Sequence, residues 1–143
     1  MSPASRHPGA ASEPPSSRPP RVSCDPRHVL GRKGERHARE HLERLGFTIL
    51  HANFRTRHGE LDLIAFDGRT LAFVEVKTRR VGGGSPWWNL HHAKRGQVRA
   101  MARAWLAATP ARPRAGELRF DAIGVTIDTQ DRLSALEHLE GAF

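Results

Sequence analysis

The chain has 143 residues, 38% of them hydrophobic, and carries 23 Lys and Arg against 15 Asp and Glu, a formal net charge of +8. That length supports one modest core, and the charge suits a polyanionic partner. No apolar run approaches a membrane span, the single Cys24 excludes an intramolecular disulfide, and no Cys/His spacing indicates structural zinc, so a cytoplasmic location is expected.

Residues 1–26 hold seven of the ten prolines and almost no large apolar residue. Such a segment cannot bury enough surface to fold and is expected to be a disordered tail, leaving residues 27–143 as a single domain. It also lacks the apolar centre of a secretory signal. Within the domain, Ala38, Leu42 and Leu45 recur at helical spacing, and Gly46 stops the helix. Phe47 to Arg55 reads as a first strand, and two further apolar runs flank Asp67-Gly68. Gly82-Gly83-Gly84 and Ser85-Pro86-Trp87-Trp88 then form a flexible loop. Its tryptophans could stack on an unpaired base, or pack on the domain surface or at a dimer contact. His91-His92 looks like half a metal site without a matching partner, and is expected to cap or flank the next helix. That helix spans about His91 to Ala108, with an apolar stripe of Val98, Met101, Ala102, Trp105 and Leu106. Leu118 to Ile127 is a late strand with apolar residues on both faces, as in a covered central position, and a short ending follows.

The runs flanking Asp67-Gly68 hold the chemistry. Gly59-Glu60-Leu61-Asp62-Leu63-Ile64 and Phe73-Val74-Glu75-Val76-Lys77-Thr78-Arg79 place acids and a lysine among strand-forming apolar residues. If Asp67-Gly68 is a two-residue turn, Asp62 falls opposite Phe73 and Glu60 opposite Glu75. Alternation then projects Glu60, Asp62, Glu75 and Lys77 from one face, with Leu61, Leu63, Val74 and Val76 on the other. Asp62 becomes a diagonal neighbour of Glu75. Clustered carboxylates resist full ionisation without a cation, and oxygen-only ligands suit Mg²⁺ or Mn²⁺. The chemistry that follows is metal-assisted attack of water on a phosphodiester. A solvated strand face with Glu75–Lys77 charge pairing has the same spacing, which does not choose between the two.

Only Lys33, Lys77 and Lys94 are lysines among the 23 basic residues, so a lysine between Val76 and Thr78 suggests a need for a compact ammonium. Arg95, Arg99 and Arg103 repeat every four residues on the second helix, with Lys94 near its start. The ladder could follow a phosphate backbone or form an ordinary solvated face, and the net charge favours binding. Glu35 leans towards the packed side of the first helix, where it is either a first-turn acid favoured by the helix dipole or a catalytic group. Asp121 is either functional or paired with a nearby arginine.

Gly59-Glu60-Leu61-Asp62 with Val74-Glu75-Val76-Lys77 and Arg79 resembles the signature of the bacterial YraN-like proteins. These are relatives of Holliday-junction resolvases within the PD-(D/E)xK nuclease superfamily. Gly31-Arg32-Lys33-Gly34-Glu35, Asn53-Phe54-Arg55, Lys94, Ala104-Trp105-Leu106, Arg119-Phe120-Asp121 and Gly141-Ala142-Phe143 extend the resemblance over roughly residues 29–143. Leu61 stands where the superfamily motif usually has proline, as is normal in this family. The resemblance implies an α/β restriction-endonuclease-like core, a mixed sheet flanked by helices in the order α-β-β-β-α-β. It makes Asp62 and Glu75 metal ligands for Mg²⁺ or Mn²⁺, Lys77 the catalytic lysine and Glu35 a further acid. The expected partner is nucleic acid, DNA above all, held by Arg79, Lys94, Arg95, Arg99 and Arg103, with no membrane. Resolvases also imply a homodimer, because a four-way junction offers two symmetric cuts. The expected activity is that of an endonuclease; a nucleic-acid-binding scaffold without catalysis, or an adaptor using the tryptophan loop, are the alternatives.

Overall fold

The computed structural model describes residues 25–84 and 92–143. The tail expected over 1–26 lies outside them except for its last two residues, as do Trp87, Trp88, His91 and the Lys94 side chain. The first helix, α1, runs Pro26–Arg44. Asp25 caps it by accepting the Arg27 N–H at 2.9 Å, and Pro26 takes the first turn, where a missing N–H costs nothing. Leu45 is the C-cap and Gly46 follows at φ 94°, a left-handed conformation that ends the helix. Leu45, expected on the packed stripe, is therefore past the last helical turn and half exposed.

The remaining elements are β1 (Thr48–Thr56), β2 (Gly59–Phe66), β3 (Thr70–Arg80), α2 (His92–Ala108), β4 (Glu117–Ile127) and β5 (Leu133–Leu139). They form one mixed sheet in the order β1-β2-β3-β4-β5. Every neighbouring pair is antiparallel except β3–β4, which is parallel and so needs a crossover, supplied by α2. The expected α/β order thus gains a strand. β5 stands where a short ending is expected, because Leu-Ser-Ala-Leu-Glu-His-Leu forms an exposed edge with little apolar alternation.

Each helix covers one face. Ala38 and Leu42 of α1 pack with Leu63, Val74, Ile123 and Val125. Val98, Met101, Ala102 and Trp105 of α2 pack with Leu61, Ile64, Leu71, Phe73 and Ala122. β4 contributes to both clusters, as its two apolar faces require. No helix among the described residues is long and apolar enough to cross a membrane.

The β2–β3 turn is wider than expected. Asp67 accepts the N–H groups of Arg69 and Thr70 at 2.9 and 2.7 Å, and its own N–H reaches the Thr70 carbonyl at 3.3 Å. The side chain competes with the tight turn, and the ladder closes at Phe66–Leu71 instead of Phe66–Arg69. The register moves by two residues. Asp62 is no longer opposite Phe73 but, one rung beyond Leu63–Val74, comes level with Glu75. The shared face expected of Leu61 and Leu63 also fails, for they enter different clusters. Asn53, flanked by the rungs Ala52–Leu63 and Phe54–Leu61, has φ 56°, and the paired strands turn over there.

Candidate active site

The described β2–β3 rungs end at Leu63–Val74. Past that point the Asp62 carboxylate accepts the Val76 N–H at 2.7 Å, so a side chain bridges the fork. Val74 and Val76 face α1, which leaves Glu75 and Lys77 on the opposite face of β3. Gly34 brings α1 against the same strand: a Cβ there would overlap the Thr78 hydroxyl, so only glycine permits this approach. One residue later Glu35 reaches the fork. Carboxylate oxygens of Glu35, Glu60 and Asp62 lie within 4.8 Å of one another. With its amide oriented to satisfy its hydrogen bonds, Asn53 ties two of them together, donating to Glu60 at 2.7 Å and to Glu35 at 3.3 Å.

The site concentrates negative charge. Burial pushes the Asp62 carboxyl up to about 8, with Glu75, Glu35 and Glu60 adding to the rise and the Val76 N–H opposing it. Burial and the charge of Glu60 also raise Glu35, against the hydrogen bond from Asn53. Glu75 is only 5% exposed, and Lys77 Nζ lies 3.3 Å from its Oε1. Arg55 reaches Glu60 at 3.4 Å from the rim. Hard, mutually repelling oxygen donors of this kind fit a divalent cation such as Mg²⁺ or Mn²⁺.

The fork therefore gathers Glu35, Glu60, Asp62, Glu75 and Lys77, all of them singled out by the sequence. Glu35 is not a first-turn acid: it lies nine residues after Pro26, and the first turn of α1 holds no acid, so the helix dipole does not account for it. The expected nucleic-acid contacts are more scattered. Arg79 is held by Thr126 Oγ1 at 3.1 Å and by the Gly84 carbonyl. Arg99 donates to the Phe143 carbonyl at 3.0 Å and lies 4.8 Å over the Phe120 ring. Arg95 and Arg103 are exposed on α2.

Asp121 does not join the fork. It is fully buried on the α1 side, bound by Arg119 Nε and Nη2 at 2.9 Å each, by His138 at 2.8 Å and by the Gly141 N–H at 3.1 Å. His41 of α1 completes the chain, 3.1 Å from His138. The arginine pairing was readable from Arg119-Phe120-Asp121. The histidines were not, because they lie 97 residues apart.

Comparison with known proteins gives the family of the chain. The model of "Uncharacterised protein family UPF0102" matches residues 34–125, from Gly34 of α1 into β4. A UPF0102 protein of Geobacter sulfurreducens is 44% identical over 120 residues, covering 80% of this chain and 88% of its own. One of Acidothermus cellulolyticus is 43% identical over 126 residues, covering 82% and 95%. One of Chlorobium chlorochromatii is 40% identical over 130 residues, covering 87% and 95%. With the matched region enclosing the whole fork, the chain belongs to the UPF0102 family, the YraN-like proteins.

Proposed function

We propose that this protein is a divalent-metal-dependent endonuclease that hydrolyses phosphodiester bonds of nucleic acid, built on a restriction-endonuclease-like core. The observation that carries the reading is the meeting of Glu35, Glu60 and Asp62 with the Glu75–Lys77 pair where β2 and β3 part. Asp62 and Glu75 would hold Mg²⁺ or Mn²⁺, with Glu35 and Glu60 beside them. The ion would supply charge neutralisation and polarise a phosphate oxygen.

The protein's own groups account for the remaining requirements. Lys77 offers a compact ammonium that can orient a water or balance charge gathering on the phosphate. Its ion pair with buried Glu75 fixes where that charge sits. Asp62 is held by the Val76 N–H, and Asn53 spaces Glu35 from Glu60, so the acids are positioned before substrate arrives. A basic protein of charge +8 attracts a polyanionic substrate to this acidic centre.

The test is cleavage of labelled linear, flapped, single-stranded and four-way-junction DNA with Mg²⁺ or Mn²⁺, comparing wild type with Glu75→Ala and Lys77→Ala. Metal-dependent cutting that vanishes in both variants supports the reading and identifies the preferred substrate. Binding without cutting, unaltered in the variants, would leave a nucleic-acid-binding scaffold.

A further inference from the structure

We infer that a groove between α1 and the β1–β2 hairpin seats the backbone of a single nucleic-acid strand and leads it to the carboxylates. The inference rests on the nuclease reading and moves the substrate contact away from α2. Two cavities, about 440 and 160 Å³, meet at Arg32, Glu35 and Asn53. The larger also takes in Arg27 and Arg55, and the smaller Arg36 and Arg39. On α1, Arg32, Arg36 and Arg39 recur every three or four residues, so they line one face of the helix. Glu35 sits among them and belongs to the acidic cluster. A strand following these arginines would pass the acids directly.

Several basic groups are already committed: Lys33 to Asp131 at 3.0 Å, Arg80 to the same carboxylate, Arg119 to Asp121, Arg99 to Phe143 and, on the groove's own rim, Arg55 to Glu60. Arg36 and Arg39 are exposed, and among the described residues neither makes an ion pair or a side-chain hydrogen bond. Row spacing, exposure and uncommitted guanidinium groups suit phosphate oxygens, which take Arg in a two-pronged contact. The groove is bounded by α1 and the β1–β2 hairpin and offers Arg32, Arg36 and Arg39 along one line of the helix, which matches a single backbone. On α2 the middle member of the ladder is already occupied.

The experiment uses the full chain carrying Glu75→Ala, so that substrate stays intact. Its affinity for a labelled single-stranded oligodeoxynucleotide is measured by fluorescence anisotropy, in chelator, across a salt series. Each phosphate released from contact lowers the slope of log affinity against log salt by about 0.7 for single strands. Arg32→Gln/Arg36→Gln/Arg39→Gln should therefore reduce the slope by about 2, while Arg95→Gln/Arg103→Gln leaves it unchanged. Thermal melts confirm that both variants remain folded. If the α1 triple variant keeps the parent slope, or if both variants lower it equally, the groove is not the seat and the nuclease reading survives. If the parent does not bind the single-stranded oligonucleotide, the groove assignment fails, and the nuclease reading is decided by the cleavage assay alone.

Discussion

Asp62 grips the backbone of Val76 at 2.7 Å, holding β2 to β3 where the described ladder has ended. Its carboxyl is simultaneously pushed up to about 8 by burial and by Glu75, so the contact is made at an electrostatic cost. Asp62→Asn keeps an oxygen for the Val76 N–H and removes the charge. The metal-free variant should be more stable than wild type by on the order of 1–2 kcal/mol, and Mn²⁺ should no longer raise its melting temperature. Thermal melts in chelator and in Mn²⁺ check both halves. An equal Mn²⁺ shift in the two proteins would remove Asp62 from the metal site.

Lys77 should not tolerate its nearest relative. Arginine preserves the charge but replaces a compact ammonium with a planar, wider group beside buried Glu75. Lys77→Arg is expected to lose about 10²-fold in cleavage rate while retaining nucleic-acid affinity. Single-turnover cleavage read alongside anisotropy separates the two effects.

Gly34 sets how closely α1 approaches β3. A Cβ at this position would overlap the Thr78 side chain, so Gly34→Ala should destabilise the fold by about 1–3 kcal/mol. Because the obstacle is a side chain, Thr78→Ala in the same chain should restore part of the loss. Urea unfolding of the two single variants and the double variant gives the coupling energy, and strict additivity would place the strain elsewhere.

Acid should loosen the α1 side of the sheet. Burial lowers the pKa of His41, with His138 and Arg44 adding to the fall, so the folded protein prefers the neutral ring. Burial works to raise Asp121, but hydrogen bonds from His138, Arg119 and Gly141 outweigh it and hold the carboxyl below the ordinary range. Both groups bind fewer protons folded than unfolded. Their stabilisation is complete above the unfolded values of 6.5 and 3.8 and is lost as pH falls through the lower folded ones. Because the raised carboxyl of Asp62 adds stability as pH falls from about 8, the loss is read as a difference: below about pH 6.5 the melting temperature of wild type should fall relative to that of His41→Gln. A parallel decline in wild type and variant would exclude His41 as its source.

Much of this architecture was legible in the chain because it depends on local pattern. The stripe of Val98, Met101, Ala102 and Trp105 is buried under the sheet, and the double-sided strand ending at Ile127 is central. The acids and lysine were conspicuous because charged residues interrupt apolar strands. What was not legible depends on competition between groups. Asp67-Gly68 has the composition of a tight turn, yet the Asp67 carboxylate captures two backbone N–H groups and widens it. Alternation predicts one face for Leu61 and Leu63, and the left-handed backbone of Asn53 breaks that alternation. His138 gave no signal of its own, since its partners come from α1 and β4.

The fork has two arms that are held in different ways. β3 is paired with β4 along its full length, from Thr70–Glu117 to Arg80–Ile127, which anchors Glu75 and Lys77. The tip of the β1–β2 hairpin, carrying Glu60 and Asp62, is joined to that arm by the clasp on Val76. Any event that pulls the Asp62 oxygens away therefore frees a backbone proton at a single known position. The Val76 amide is thus a built-in spectroscopic reporter: its chemical shift and exchange rate should register occupancy of the acidic centre before any bond in the substrate is broken.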